Sequence, residues 1–361
     1  MHLSRRRFLL TSSALASMAG LSLPFTNPTN PSRHSSTLIR NARLDEMTPE
    51  SLKAIRRGFK WLKRAELRDG SYGTDINQLP ANIGCTAMAG LAMMASGSTP
   101  LQGVKKVELQ KILAFILKTV SKMPANNITK SAGSQLVYDL GQQAHSFIAL
   151  LFLTQIAGEG HLPKETLEAV RKVTDVVVKS QYSDGSWGHD AWAPILGTVL
   201  GWTSLRAAHL AGFDVGSSPQ KTAEFLINNM SKHMDGSDWM HGFYKNAAGI
   251  RVLYEMGRDD EPVVKKSFKN VVNLVTRNKT AFNQAGGEEY LAFHLITEAM
   301  LQKGGDDWLK WFPVVRDRII DVQNQDGSWT GHHCITSRTF CTATACLVLA
   351  APNRYLPMSQ G

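Results

Sequence analysis

Cysteine is scarce in this chain, with Cys85, Cys334, Cys341 and Cys346 the four in 361 residues. None stands in paired Cys-x-x-Cys spacing, which argues against a structural zinc ribbon and against a disulfide scaffold. Cys341 and Cys346 are five apart and poorly placed to bridge within one helix, so buried free thiols are expected. Past residue 25 no run reaches the uncharged length of about 20 residues that spans a membrane, and no transmembrane segment is expected in the mature chain. A Gly-rich phosphate loop, a nucleophile elbow and a His-Glu-x-x-His pattern are all missing. The formal charge is +10, but Lys and Arg alternate with acids along helical stretches, which excludes a nucleic-acid-binding stripe.

The first 25 residues hold Arg5, Arg6 and Arg7 and no Asp or Glu. Ser4-Arg5-Arg6-Arg7-Phe8-Leu9-Leu10 precedes an apolar run of small residues to Phe25, and this resembles the twin-arginine signals that carry folded proteins out of bacterial cytoplasm. Ala14-Leu15-Ala16 and Ser17-Met18-Ala19 offer small-x-small cleavage sites. A chain from residue 26 onward carries about +7. Residues 26–47 have Pro, Asn and Ser without apolar period, as a linker does. Residues 48–361 read as a single domain.

Within that domain one pattern recurs. Glu66-Leu67-Arg68-Asp69-Gly70-Ser71-Tyr72, Gln181-Tyr182-Ser183-Asp184-Gly185-Ser186-Trp187 and Gln323-Asn324-Gln325-Asp326-Gly327-Ser328-Trp329 each follow an amphipathic stretch and precede an apolar one. Asp235-Gly236-Ser237-Asp238-Trp239 is a fourth, looser copy. Asp-Gly-Ser supplies a turn in which Gly takes positive φ and the Asp and Ser side chains bond nearby backbone, so these segments read as structural clasps between helices.

Punctuation is regular as well. Pro opens helical stretches at Pro49, Pro100, Pro163, Pro219 and Pro262, and Gly closes apolar ones at Gly97, Gly158, Gly212, Gly257 and Gly304. This divides the chain into six pairs with no obvious strand. The first helix of each pair is amphipathic, at about 49–66, 104–122, 163–181, 219–232, 262–278 and 307–323. The second is more evenly apolar, at about 82–96, 138–157, 192–211, 244–256, 287–303 and 336–351. A helix apolar nearly all round must be enclosed, so two concentric layers follow, with the second helices inside. Terminal pairs are as apolar as middle ones, which favours a closed ring over a capped solenoid. The expected fold is an all-α, α/α toroid of six helical hairpins.

Helix pairs joined by Gln-x-x-Asp-Gly-Ser-Trp turns and followed by small-residue helices such as Phe340-Cys341-Thr342-Ala343-Thr344-Ala345 resemble the prenyltransferase and squalene–hopene cyclase repeats. The resemblance covers the chain past the linker and is specific for fold. It implies a terpenoid-cyclase-like or prenyltransferase-like scaffold, but the Asp-x-Asp-Asp motif of the cyclases is missing. Where the farnesyltransferase-like subunits hold zinc through Asp-x-Cys and a later His, this chain has Gly287-Glu288-Glu289 and Cys341. No metal and no cofactor is expected.

The chemistry-bearing residues on inner stretches are Asp139, His145, Glu288, Glu289 and His294 as cavity candidates, with Asp190 and Cys341 as ligand-binding candidates. Asp139 and Asp190 stand at inner-helix starts, where helix capping is the plain explanation. Glu298, four residues after His294, is placed to orient it, and His332-His333-Cys334 reads as an exposed loop. In a toroid the inner helix N-termini gather at one mouth, where their dipoles favour an anionic head group above apolar walls. The expectation is therefore an apolar or amphiphilic small-molecule ligand, with or without catalysis. The other class is a carbohydrate-active α/α toroid, a polysaccharide lyase or hydrolase, whose mark is an aromatic and acidic groove. Exchanging Arg5 and Arg6 for Lys should leave precursor in the cytoplasm by fractionation and immunoblot, whereas undiminished export assigns the segment to another route.

Overall fold

The computed structural model describes residues 46–124, 134–158, 162–216, 219–230, 244–277, 280 and 282–356. The twin-arginine segment, the linker up to residue 45 and the loose clasp at 235–239 lie outside the described residues. Among the described residues there are thirteen α-helices and no strand beyond one isolated bridge, Glu66 to Tyr72.

Four of the first helices open on proline, at Pro49, Pro163, Pro219 and Pro262. In α1 (Pro49–Ala65), Thr48 Oγ1 accepts from Ser51 N at 3.2 Å and Pro49 takes the first position, where its missing N–H costs nothing. The other first helices are α3 (Lys106–Ser121), α6 (Pro163–Lys179), α8 (Pro219–Met230), α10 (Pro262–Arg277) and α12 (Gly305–Asp321). Each buries one stripe, as α10 does with Val264, Phe268, Val271 and Val275. The second helices are α2 (Ile83–Ala95), α5 (Ala144–Thr154), α7 (Pro194–Leu210), α9 (Gly249–Glu255), α11 (Gly287–Lys303) and α13 (Arg338–Ala350). Every residue of α2 is buried, and so is every residue of α11 from Gly287 to Leu301. The five glycines expected to end apolar stretches all have φ between 66° and 96°, the left-handed conformation that stops a helix.

Three expectations need correction. Pro100 does not open a helix, because α3 begins at Lys106. The inner stretch expected over 138–157 is broken into a short helix, α4 (Gln135–Leu140), and α5. The break is at Gly141, with φ 99°, where a Cβ would lie 2.5 Å from Gly188 Cα, so only glycine permits this approach. The stretch at 244–256 is a helical turn, residues 244–247, followed by α9.

Packing among the second helices runs in a cycle. α2 packs on α5, α5 on α7, α7 on α9, α9 on α11, α11 on α13, and α13 returns to α2. On the outside, α1 packs against α12 and α13, so the first helix pair meets the last.

The clasps share one hydrogen-bond pattern. Asp69, Asp184 and Asp326 each accept from the backbone N–H and hydroxyl of the Ser two residues on, at 2.6–3.1 Å. The aromatic N–H that follows donates to a Thr in the second helix: Tyr72 to Thr86, Trp187 to Thr198 and Trp329 to Thr342, at 2.9–3.1 Å. Both indoles reach back to the first helix, Trp187 Nε1 to Val177 O at 3.0 Å and Trp329 Nε1 to Ile319 O at 2.7 Å. Each ring is fully buried and ties turn, first helix and second helix together. Replacing Trp329 or Trp187 by Ala should cost about 3–5 kcal/mol in urea unfolding; an unchanged midpoint in either variant would refute the clasp.

Candidate functional site

The polar residues of α11 sit at its first turn. Glu289 closes the helix start by accepting from Gly286 N at 2.7 Å through Oε2. Glu288 Oε2 accepts from Ile335 N at 3.2 Å, which ties the loop before α13 to the start of α11. Gly287 N to Ile335 O at 2.8 Å and His332 N to Ala285 O at 3.1 Å hold the same two segments together.

That loop is not simply exposed, as the sequence suggests. His332 faces solvent, but His333 and Cys334 are half-buried and turn toward the acids. His333 Nδ1 lies 3.0 Å from Glu288 Oε1 and its Nε2 lies 3.5 Å from Glu289 Oε2. Ligand atoms of Glu288, His333 and Cys334 all fall within 4.8 Å of one another. Cys334 has φ 47°, a left-handed conformation that is unusual for a residue with a Cβ. Lys245 Nζ is 3.9 Å from Glu288 Oε1 and 3.6 Å from Glu289 Oε1, and lies 5.4 Å from the Trp192 ring centre.

Asp139 completes the cluster from the other side. It sits near the end of α4, wholly buried, and neither carboxylate oxygen finds a hydrogen-bond partner of good geometry. Its neighbours there are the Cys334 thiol, Glu288 and Lys245. Burial first and Glu288 second push the Asp139 carboxyl up to about 7, against Lys245. The same causes push Glu289 up to about 8. Burial, then Glu288 and Asp139, push the Cys334 thiol up to about 12. Two large rings border this place in the open, Tyr138 at 68% exposure and Trp192 at 60%, joined by Trp192 N to Tyr138 O at 3.1 Å.

The remaining sequence candidates lie elsewhere. Asp190 is exposed in the turn before α7 and does not cap it, since the N-cap is Ala193 without a side-chain bond. Asp139 is no cap either. His145, at the start of α5, has Nε2 3.2 Å from Ser134 Oγ and 3.4 Å from Asn82 Nδ2. Cys341 is buried in α13, with Sγ 3.8 Å from Ile335 O and its thiol pushed up by burial and then by Glu288. His294 lies deeper along α11, held below the ordinary imidazole range by burial and then by Arg251, against Glu298. Glu298 pairs with Arg251 at 3.4 Å, and Glu255 pairs with Arg251 at 2.7 Å and Arg206 at 3.3 Å. Glu298, expected to orient His294, thus belongs to an ionic network with Arg251, Glu255 and Arg206 on the second helices.

Two hollows of about 320 and 530 Å³ lie beside Phe115 and Phe268, and no residue of the acidic cluster lines either. No helix among the described residues is long and apolar enough to cross a membrane. No protein-family model, curated protein or solved structure matches this chain.

Sequence reasoning missed His333, Cys334 and Lys245. The signal available was the His-His-Cys run immediately before an inner helix, at the end where the other inner helices begin.

Burial lowers His145 to about 4. The unfolded chain takes up that proton as pH falls below about 6.5, while the folded chain refuses it until about 4. Its share of stability is thus complete above pH 6.5 and lost as pH falls from there to about 4. Urea unfolding across pH 4–7 should show an acid limb shallower by about one proton in His145→Gln; an identical slope would remove His145 as the cause.

Proposed function

We propose that this chain is an exported, terpenoid-cyclase-like or prenyltransferase-like α/α toroid of six helical hairpins that takes an apolar or amphiphilic small molecule at the mouth where its second helices begin. The cyclic packing of α2, α5, α7, α9, α11 and α13 supports the toroid, as does the return of α1 onto α12 and α13. The N-terminal Arg5-Arg6-Arg7 segment supports export to the periplasm or beyond.

Asp139 carries the reading. A buried carboxyl whose oxygens receive no nitrogen or oxygen donor, with only the Cys334 thiol against it, is an expensive feature that packing alone does not require. Folds keep such groups where a ligand supplies the missing partner. The head group that fits is a cation or a hydrogen-bond donor. Helix dipoles alone would favour an anion, but the carboxyl oxygens of Asp139, Glu288 and Glu289 outnumber the one Lys245 ammonium, and a cation would draw the raised Asp139 and Glu289 into their charged form.

The carbohydrate-active reading gains one observation. Tyr138 and Trp192 are exposed beside Asp139, and sugar rings stack on such faces. Both ligand classes are tested by thermal shift of the purified chain against isoprenoid and fatty amines and alcohols, and against oligosaccharides. A shift from the amphiphiles supports the first reading, a shift from oligosaccharides alone selects the second, and none from either overturns both. Above the raised range of its carboxyl, at about pH 8 to 9, Asp139→Asn should gain about 1 kcal/mol of stability by removing a buried charge, and at any pH it should lose the ligand-induced shift. A variant that melts lower than wild type and keeps the shift makes Asp139 a packing residue.

A further inference from the structure

We infer that Glu288, His333 and Cys334 form a binding site for a divalent cation of the zinc class, with Asp139 facing the ion as a fourth donor. The inference stands on the geometry at the start of α11 and holds whether or not the ring takes a small molecule.

The donor set comes from two elements held in register. Glu288 is fixed to the loop by its bond from Ile335 N, and that loop presents His333 and Cys334 back to the other oxygen of Glu288, Oε1. Their ligand atoms lie within 4.8 Å of one another. Donors around a tetrahedral zinc are separated by about 3.5 Å, given bonds of about 2.0–2.3 Å, so small side-chain movements close the set. Mixed carboxylate, imidazole and thiolate donors suit zinc or cobalt and do not suit magnesium or calcium, which take oxygen alone.

Two further side chains fit a metal rather than a plain salt-bridge cluster. His333 Nδ1 faces Glu288, and its Nε2 is 3.5 Å from Glu289 Oε2. A carboxylate behind the outer nitrogen of a ligating imidazole fixes its tautomer and orientation. Independently, Asp139 is wholly buried, neither of its oxygens receives a nitrogen or oxygen donor, and only the Cys334 thiol lies against it. An ion between Asp139, Glu288 and Cys334 would supply the positive partner that these groups otherwise share in one Lys245 ammonium. Binding releases the thiol proton of Cys334 to solvent as the thiolate forms on the metal.

The test is metal titration of the purified full chain after chelator dialysis, under a non-thiol reductant. Cobalt(II) should bind at one ion per chain with a thiolate charge-transfer absorption, zinc should displace it, and both should raise the melting temperature. Cys334→Ser should abolish that absorption, and His333→Gln should weaken zinc by about tenfold or more. Neither residue is deeply buried, so both variants should fold, which their melting in chelator checks. Lys245→Gln should tighten binding, since the competing ammonium is gone. Cys341→Ser is the control for the nearby buried thiol and should leave the titration unchanged. Failure to bind one ion, or binding that survives Cys334→Ser and His333→Gln, overturns the site. A thermal shift from organic ligands that persists without metal leaves the small-molecule reading untouched, so the two ideas fail separately.

Discussion

The joint between the last clasp and the first helix is the constraint on which the architecture depends. Arg57 donates to Gln323 Oε1 and to the carbonyls of Asn324 and Gln325, at 2.8–3.1 Å. Trp61 Nε1 reaches Asp326 Oδ2 at 3.1 Å, Arg64 reaches Asp326 O at 2.9 Å, and Gln323 Nε2 reaches Ala54 O at 2.9 Å. Arg338 then joins Asp326 and lies over the Trp61 ring at 4.9 Å. At Gly327, with φ 94°, a Cβ would sit 2.7 Å from Arg57 O, so the turn touches α1 backbone to backbone. Without this joint the apolar second helices would have two ends to cover; with it, α13 and α2 cover one another.

The cluster at Glu288, His333 and Cys334 depends indirectly on this joint. The loop carrying His333 and Cys334 is pinned at one side by α11 and at the other by α13, whose start is tied to the first turn segment through Thr339 N to Thr74 O at 3.2 Å and Ser337 Oγ to Thr74 O at 2.9 Å. Gln135 spans to Thr336, with Thr336 N donating to Gln135 Oε1 at 3.0 Å. The acids are thus gathered by helices and loops that are far apart in sequence. Burial and mutual repulsion raise their proton affinity because Glu288 cannot move away from Asp139 or Glu289.

Much of the helix plan was legible in the sequence. Proline and glycine punctuate the chain, and α11 runs over the span its apolar pattern predicts, 287 to 303. Gly141 defeated the pattern because its break is dictated by the backbone of Gly188, a contact no local period reports. Glu288 and Glu289 stood out because carboxylates are rare on a stretch that must be enclosed. His333 and Cys334 did not, since a loop carries no periodicity and their partner is about 45 residues upstream. Lys245 gave no signal, being the one basic residue in Tyr244 to Ile250, yet it is 7% exposed between two acids. Glu298 was visible as a partner for His294, but its pairing with Arg251 was not, because that residue lies 47 positions earlier on another helix.

The packing of α13 on α2 also sets an order of events for the nascent chain. α2 emerges early, and the neighbour that shelters one of its faces, α13, is about 250 residues away. Contacts of such separation are slow to form because a long loop must close before any of them is rewarded. Until synthesis reaches Ala350, α2 keeps a greasy flank that holdase chaperones would have to shield. Threading such a chain outward as it is made would separate the two partners across a membrane. The contact between α2 and α13 therefore needs both segments in one compartment at the moment it forms.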